Sequence, residues 1–208
     1  MKTEKYFDAQ QHWPKEGKCI LAQQTEQDLI VYQAFSPAIA NYAVLHQKFG
    51  GPNYSFNRMT WIKPNFLWMM YRAGWATKVN QERILAITIS KESFDQILSK
   101  AVVSSYKSNM YDSREEWKKE IENSNVRLQW DPDHDPYGNK EERRAIQIGL
   151  RGEDLTYFHD QIRKIEDVTA FVHEQAKHVN SGQLDQLLVP MERVYLPDSD
   201  EAIRRVGL

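Results

Sequence analysis

The stretch from Arg58 to Trp75 constrains the fold of this chain more than any other segment. Its sequence, RMTWIKPNFLWMMYRAGW, holds three of the six tryptophans and three of the six methionines. Pro64 fits the first turn of a helix and Gly74 fits the position just past its end, so the pattern predicts a helix over residues 64–73. Apolar side chains fall on every side of this helix, which indicates that it is buried.

The same stretch carries three cationic side chains, Arg58, Lys63 and Arg72. Arg72 lies one turn after Trp68 and three residues before Trp75, so we expect its guanidinium among aromatic faces. A cation in such surroundings needs an acidic partner or an anionic ligand. Lys63 stands at the predicted start of the helix, where free backbone N–H groups and the helix dipole favour an anion.

Composition limits the class of protein. The chain has 208 residues, of which 41% are hydrophobic and 12% aromatic, so it can bury the core of one ordinary domain. The net charge of −2, with both signs interspersed, indicates neither a nucleic acid nor a membrane partner. The single cysteine, Cys19, excludes an internal disulfide and a thiolate metal cage. No apolar run has the length of a signal peptide or a membrane span, so we expect a soluble, cytoplasmic protein.

The pattern along the chain predicts an α+β fold. Residues 1–27 lack periodicity and are expected to form an irregular N-terminal lead-in, followed by a single globular domain over residues 28–208. Segments rich in β-branched and aromatic residues alternate with amphipathic ones, which predicts a single compact domain. Its mixed or mostly antiparallel sheet of about four or five strands is packed by helices. The main strands are predicted at residues 28–35, 82–90, 126–130 and 144–150. No Gly-rich phosphate loop follows any of them, which argues against a Rossmann or P-loop fold.

Several phrases of the sequence resemble a known family. They are VYQAFSPAIA (31–40), RMTWIKPNFLWMMYRAGW (58–75), QERILAI (81–87), SREEW (113–117), QWDPDHD (129–135) and IQIGL (146–150). Together they resemble the bacterial and fungal family called domain of unknown function 4291 (DUF4291), over about residues 28–195. The resemblance implies a single compact domain. Because the family has no assigned activity, the resemblance transfers no catalytic residues.

Two interpretations of the cationic and aromatic residues stand at this point. In the first, they form a pocket in which cations pair with the phosphates of a nucleotide and flat rings stack on its base. The residues expected to bind the ligand are Arg58, Trp61, Lys63, Arg72, Trp75 and Arg144. In the second, the block is core packing, with Arg72 paired to a buried carboxylate and Lys63 extending to solvent. Three glutamines inside apolar strands are open to the same choice between bonding the backbone and lining a pocket floor: Gln33, Gln129 and Gln147.

The acidic segment 131–142 imitates a calcium-binding loop, with aspartates at its first, third and fifth positions and Glu142 at the twelfth. Pro136 replaces the glycine that the sharp turn of such a loop needs, so no metal site is predicted. Asp131 and Asp135 are instead the candidate catalytic carboxylates, because acids at a strand end often face a cleft. The alternative is a solvated turn in which they cap backbone amides.

The leading interpretation is therefore an enzyme that binds a nucleotide or another phosphate-bearing small molecule. A fold like that of the ADP-ribosyltransferases is one way to realise it, by analogy only. The alternative is a non-catalytic binding or interaction module in which the Trp-rich block is hydrophobic core. The sequence names no cofactor and leaves the oligomeric state open.

Overall fold

A computed structural model describes all 208 residues of the chain, with eight α-helices and twelve β-strands. Most of the strand pairs are antiparallel, so the predicted α+β class is confirmed. The strands are β1 (Thr3–Lys5), β2 (Gly17–Lys18), β3 (Ile20–Gln23), β4 (Asp28–Phe35), β5 (Thr60–Ile62), β6 (Arg83–Ser90), β7 (Val102–Val103), β8 (Val126–His134), β9 (Lys140–Leu150), β10 (Lys164–Asp167), β11 (Leu188–Pro190) and β12 (Glu192–Tyr195).

The helices are short, and none combines the length and the apolar character that crossing a membrane requires. They are α1 (Tyr6–Gln10), α2 (Pro37–His46), α3 (Phe66–Ala73), α4 (Lys91–Leu98), α5 (Arg114–Asn123), α6 (Gly152–Asp160), α7 (Thr169–Asn180) and α8 (Asp200–Val206).

A three-stranded antiparallel sheet, in the order β10-β6-β4, separates two hydrophobic cores. Successive side chains of a strand point to opposite faces, and both faces of β6 are apolar. Leu85 and Ile87 pack into a core of 27 buried residues, whereas Ile84 and Ala86 pack into a second core of 19. Burial on both faces explains why this strand appears in the sequence as a nearly continuous apolar run.

The larger sheet contains five strands and is built around the antiparallel pair of β8 and β9. The sequence predicted a polar loop over residues 131–142, and this prediction is wrong. Both strands continue into that segment, with Asp131 opposite Ala145 and a register shift between Pro132 and His134. The remaining turn is closed by a hydrogen bond from the Gly138 amide to the Asp135 carbonyl, 3.0 Å long. A bulge absorbs the proline that would otherwise interrupt the pairing.

A short extended segment, residues 60–63, joins the two sheets. On one edge β5 pairs with the end of β9, placing Trp61 opposite Gly149. On the other edge Lys63 exchanges two backbone hydrogen bonds with Tyr32 of β4, at 2.7 and 3.1 Å. The cleft described below lies beside this junction.

The first 27 residues are not an irregular lead-in, and that prediction is corrected. They form β1, α1, β2 and β3, which pair with β11, β9 and β12 or pack onto them. Their apolar side chains belong to the core: Tyr6, Trp13 and Leu21 are at most 5% exposed. The strands have only two to four residues, too short to show periodicity in the sequence.

Helix α3 is the predicted buried helix of the Trp-rich stretch, although it begins at Phe66 rather than at Pro64. Asn65 is its N-cap, because its Oδ1 accepts a hydrogen bond from the Trp68 amide at 2.6 Å. Six of the eight helical residues are buried. The ring of Trp68 is 4% exposed and lies nearly parallel to the rings of Tyr71 and His134, with centroids 5.5 and 5.1 Å away.

Replacing Trp68 with alanine should lower the free energy of unfolding by about 3–5 kcal/mol, because the vacated ring leaves a cavity in a close-packed region. Replacing it with phenylalanine should lose much less, since an aromatic ring remains and the indole N–H, which has no hydrogen-bond partner, is removed. Urea denaturation of the three proteins measures both differences. Equal stability of the alanine variant and the parent would contradict the packing role of this ring.

Candidate anion-binding cleft

A cavity of about 530 Å³ lies between β4, the 58–63 segment, α3 and the β8–β9 pair. This volume falls in the usual range of small-molecule pockets, roughly 300–1,000 Å³. The residues that line it come from distant parts of the chain and include no aspartate or glutamate. They are Gln33, Ala34, Phe35, Arg58, Met59, Thr60, Trp61, Lys63, Met69, Arg72, Gln81, Gln129 and Gln147.

The three cations of the Trp-rich stretch converge on this cavity. The side chains of Arg58 and Arg72 are exposed, whereas Lys63 is only 5% exposed. None of the three forms a salt bridge or donates a side-chain hydrogen bond within the protein. The guanidinium carbon of Arg72 lies 5.9 Å from the ring centroid of Trp68. The alternative in which Arg72 pairs with a buried carboxylate is therefore wrong.

Lys63 does not extend to solvent, contrary to the core-packing interpretation. Burial, and after it the nearby charge of Arg72, lower the pKa of its amine to about 8, while the charge of Asp131 opposes the shift. Its backbone is fixed by the pairing with Tyr32, and Pro64 follows it directly. The ammonium group is thus held in a buried position without a counter-charge in contact, which destabilises the fold unless a ligand supplies one.

The glutamines left open by the sequence do line the pocket. Gln147 Nε2 donates to Gln129 Oε1 at 2.9 Å and to Asp131 Oδ2 at 2.7 Å. Gln33 Nε2 donates to Thr60 Oγ1 at 2.6 Å, while Gln33 Oε1 is buried without a partner. A buried acceptor without a partner is uncommon in folded proteins and is a place where a ligand can donate a hydrogen bond.

Trp61 lies against the cavity because β9 carries a glycine opposite it. A Cβ on Gly149 would lie 3.0 Å from the Trp61 ring and 2.7 Å from Met59 Sδ. The absence of a side chain at Gly149 lets the indole pack directly on the strand and leaves it at the cavity wall.

Two of the residues predicted to bind the ligand are elsewhere. The indole of Trp75 packs edge-on against Phe66 and donates to the Pro136 carbonyl at 3.2 Å, because the chain turns left-handed after α3. Arg144 is exposed and lines a separate cavity together with Lys18 and Trp130. Neither residue lines the cleft, so both predictions are corrected.

The two candidate catalytic carboxylates also lie outside the cavity lining. Asp131 is held behind the cleft by Gln147 and acts on Lys63 only through its charge. Asp135 caps its own turn, accepting hydrogen bonds from the Tyr137 and Asn139 amides at 2.9 and 2.8 Å. For Asp135 the alternative of a capping turn is therefore what the geometry supports. No group of three or more histidine, cysteine, aspartate or glutamate residues is placed to hold a metal ion.

The N-terminus of α3 is occupied by the protein itself. Glu192 is 1% exposed, and its Oε1 accepts a hydrogen bond from the Phe66 amide at 2.7 Å. Asn65 takes the Trp68 amide, so two of the first N–H groups of the helix, which were expected to attract an external anion, already have partners in the protein. Burial raises the pKa of Glu192 well above its usual value. The positive charge at the cleft comes from the side chains of Arg58, Lys63 and Arg72.

A buried ion pair beside Glu192 was missed in the sequence. Arg143 Nε lies 2.6 Å from Asp133 Oδ2, and the two side chains are 5% and 1% exposed. The guanidinium also lies over the ring of Trp13, 5.2 Å from its centroid. Asp133 lies in the acidic segment 131–142, and Trp13 lies in the N-terminal segment 1–27 that was predicted to be irregular. Only the alternation of positions 129, 131 and 133 with 143, 145 and 147 on one sheet face could have indicated them.

The chain matches the family model described as a domain of unknown function (DUF4291) over residues 19–195. The match covers most of the 208 residues, so the chain belongs to this family and the resemblance noted in the sequence is confirmed. No curated protein matches the chain. Because the family description carries no activity, the chemistry of the cleft rests on its side chains.

The two arginines make a matched pair for testing which cation is structural. Arg143→Met leaves Asp133 buried without its partner, so the free energy of unfolding should fall by about 3–5 kcal/mol. Arg72→Met removes an exposed charge that has no internal partner, so stability should change by less than about 0.5 kcal/mol. Chemical denaturation without ligand measures both. A large loss for Arg72→Met would place that arginine in the structure rather than in the cleft.

Lys63→Met should stabilise the protein by roughly 1–3 kcal/mol at pH 7, because it removes a charge whose burial lowers the pKa from 10.5 to about 8. Between these two pH values the unfolded chain binds the proton that the folded protein has released. The parent therefore becomes more stable as pH rises from about 8 to 10.5, and the difference from Lys63→Met should shrink. Urea denaturation at pH 7 and 9.5 measures this difference. A parent that is the more stable protein at pH 7 would contradict the unpaired state of Lys63.

Proposed function

We propose that the cleft binds a small molecule that bears phosphate groups and has about the size of a nucleotide. The observation that carries this proposal is charge: Arg58, Lys63 and Arg72 line one cavity whose lining includes no carboxylate. Arginine and lysine side chains provide the charge-assisted hydrogen bonds by which proteins hold phosphate. The net charge of the whole chain is −2, so this positive region is local rather than a property of the surface.

The remaining lining residues suit the uncharged part of such a ligand. The indole of Trp61 offers a flat surface for a base, because stacking on an aromatic ring is favourable for every base. The amide group of Gln129 and the unpartnered Oε1 of Gln33 add donors and acceptors for hydroxyl or ring nitrogen atoms.

The proposal is tested by thermal shift and calorimetry with inorganic pyrophosphate, AMP and ADP. A compound that binds the folded protein raises the melting temperature, so at least one of the three should do so. Arg72→Met should weaken the binding of that compound by about tenfold to a hundredfold, and Arg58→Met should act in the same direction. Trp61→Leu should weaken the binding of AMP more than the binding of pyrophosphate, because of these two compounds only AMP carries a base.

Arg144→Met is the matched control, since Arg144 is an exposed arginine that lines a different cavity. Its binding constants should equal those of the parent. Failure of all three compounds to raise the melting temperature would overturn the proposal. Equal weakening by Arg144→Met and Arg72→Met would also overturn it, because the charge effect would then be general rather than located in the cleft.

A further inference from the structure

The amine of Lys63 has the environment of a reactive group rather than of a charge that only attracts anions. It lines the cavity, its side chain is nine-tenths buried or more, and its Nζ has no hydrogen-bond or salt-bridge partner in the protein. Lysines that serve only to hold phosphate are usually charged and hydrated. A lysine that is desolvated and placed beside another cation is instead activated as a nucleophile, because both effects favour the neutral amine.

The positions of the three cations differ in a way that suits the two arginines to binding a ligand and Lys63 to reacting with it. Arg58 and Arg72 are exposed at the cavity and are free to pair with a phosphate. Lys63 lies deeper, fixed through its backbone to Tyr32. A ligand anchored by its phosphate on the two arginines would therefore present its other end to the Lys63 amine.

We propose that Lys63 Nζ forms a covalent imine with an aldehyde or ketone group of a phosphate-bearing substrate. This inference rests on the proposed function, because the arginines must hold the phosphate. The neutral amine attacks the carbonyl carbon, forming a C–N bond, while the oxygen takes up a proton and becomes the hydroxyl of a carbinolamine. Loss of that hydroxyl with one proton from nitrogen releases one water and leaves the C=N bond, so no oxidant or reductant is consumed. Gln33 lines the same cavity, and its Oε1 has no hydrogen-bond partner in the protein.

The lowered pKa of Lys63, which follows from its buried position, favours the same chemistry. Burial, followed by the charge of Arg72, lowers the pKa of the amine to about 8, against the opposing charge of Asp131. At pH 7 about one Lys63 amine in ten is then neutral, compared with roughly one in three thousand for a lysine with the ordinary pKa of 10.5. Arg58 adds a further positive charge to the cavity lining.

The experiment is reductive trapping on the full chain. Glycolaldehyde phosphate and sodium cyanoborohydride are added at pH 7, and the modified lysines are located and timed by peptide mass mapping. Lys63 should be modified at least about tenfold faster than Lys177, whose side chain is 73% exposed. With unphosphorylated glycolaldehyde, which has the same carbon skeleton, most of the preference for Lys63 over Lys177 should disappear, because this aldehyde lacks the phosphate that the arginines hold. Inorganic pyrophosphate should slow the modification of Lys63 and leave that of Lys177 unchanged.

Two variants separate failure of this inference from failure of the proposed function. Lys63→Arg keeps a charge but has no nucleophilic amine, so it should bind pyrophosphate and give no adduct at residue 63. Arg72→Met keeps the amine and should lose the preference for the phosphorylated aldehyde. If pyrophosphate binds and Arg72→Met weakens that binding, yet Lys63 reacts no faster than Lys177, the imine is refuted and the anion site stands. If none of pyrophosphate, AMP and ADP binds and pyrophosphate does not protect Lys63, the proposed function and this inference fall together.

Discussion

The hydrogen bonding of residues 60–63 on both edges is the constraint on which the cleft depends. β5 pairs with β9 on one side, and Lys63 exchanges two backbone hydrogen bonds with Tyr32 on the other. Buried backbone groups that lose such partners cost about 1–3 kcal/mol each, so the segment cannot shift to relieve its side chains. The position of Lys63 between the two sheets is thereby imposed by the fold, and its side chain is held, largely buried, at the cavity.

Charges on the two sides of α3 are distributed unequally, and this explains why the cleft is open to an external anion. At the start of the helix, Asp133 forms a buried ion pair with Arg143, and Glu192 accepts a hydrogen bond from the Phe66 amide. Both of these carboxyl groups therefore already have partners within the protein. The cavity lining contains none, and Asp131 is engaged by Gln147. Lys63 therefore lacks a contacting counter-charge because the nearby acids are committed to other partners.

Sequence patterns predicted the elements with strong periodicity and failed where tertiary pairing decides the structure. The strand at residues 28–35 and the buried helix of the Trp-rich stretch were predicted correctly, because buried elements carry an apolar pattern that is visible in the sequence. Strands of two to four residues before residue 28 leave no such pattern. Within the site, the cations were found because they lie close together in the chain. Gln129 and Gln147 meet only through the register of β8 with β9, and Trp75 leaves the site through a left-handed turn.

The same geometry favours a small-molecule site over a protein-docking surface built from the Trp-rich block. A docking surface needs aromatic side chains that a partner can reach. In α3 the apolar residues are buried, and the one large exposed ring, Tyr71, already stacks on His134 with centroids 3.6 Å apart. The accessible part of the Trp-rich stretch is the concave wall of the cleft, which carries Arg58, Trp61 and Arg72. Concavity, cations and a buried unpaired amine are what the proposed anion site needs, and they occur beside a buried helix, so core packing of this segment does not exclude the proposed ligand binding.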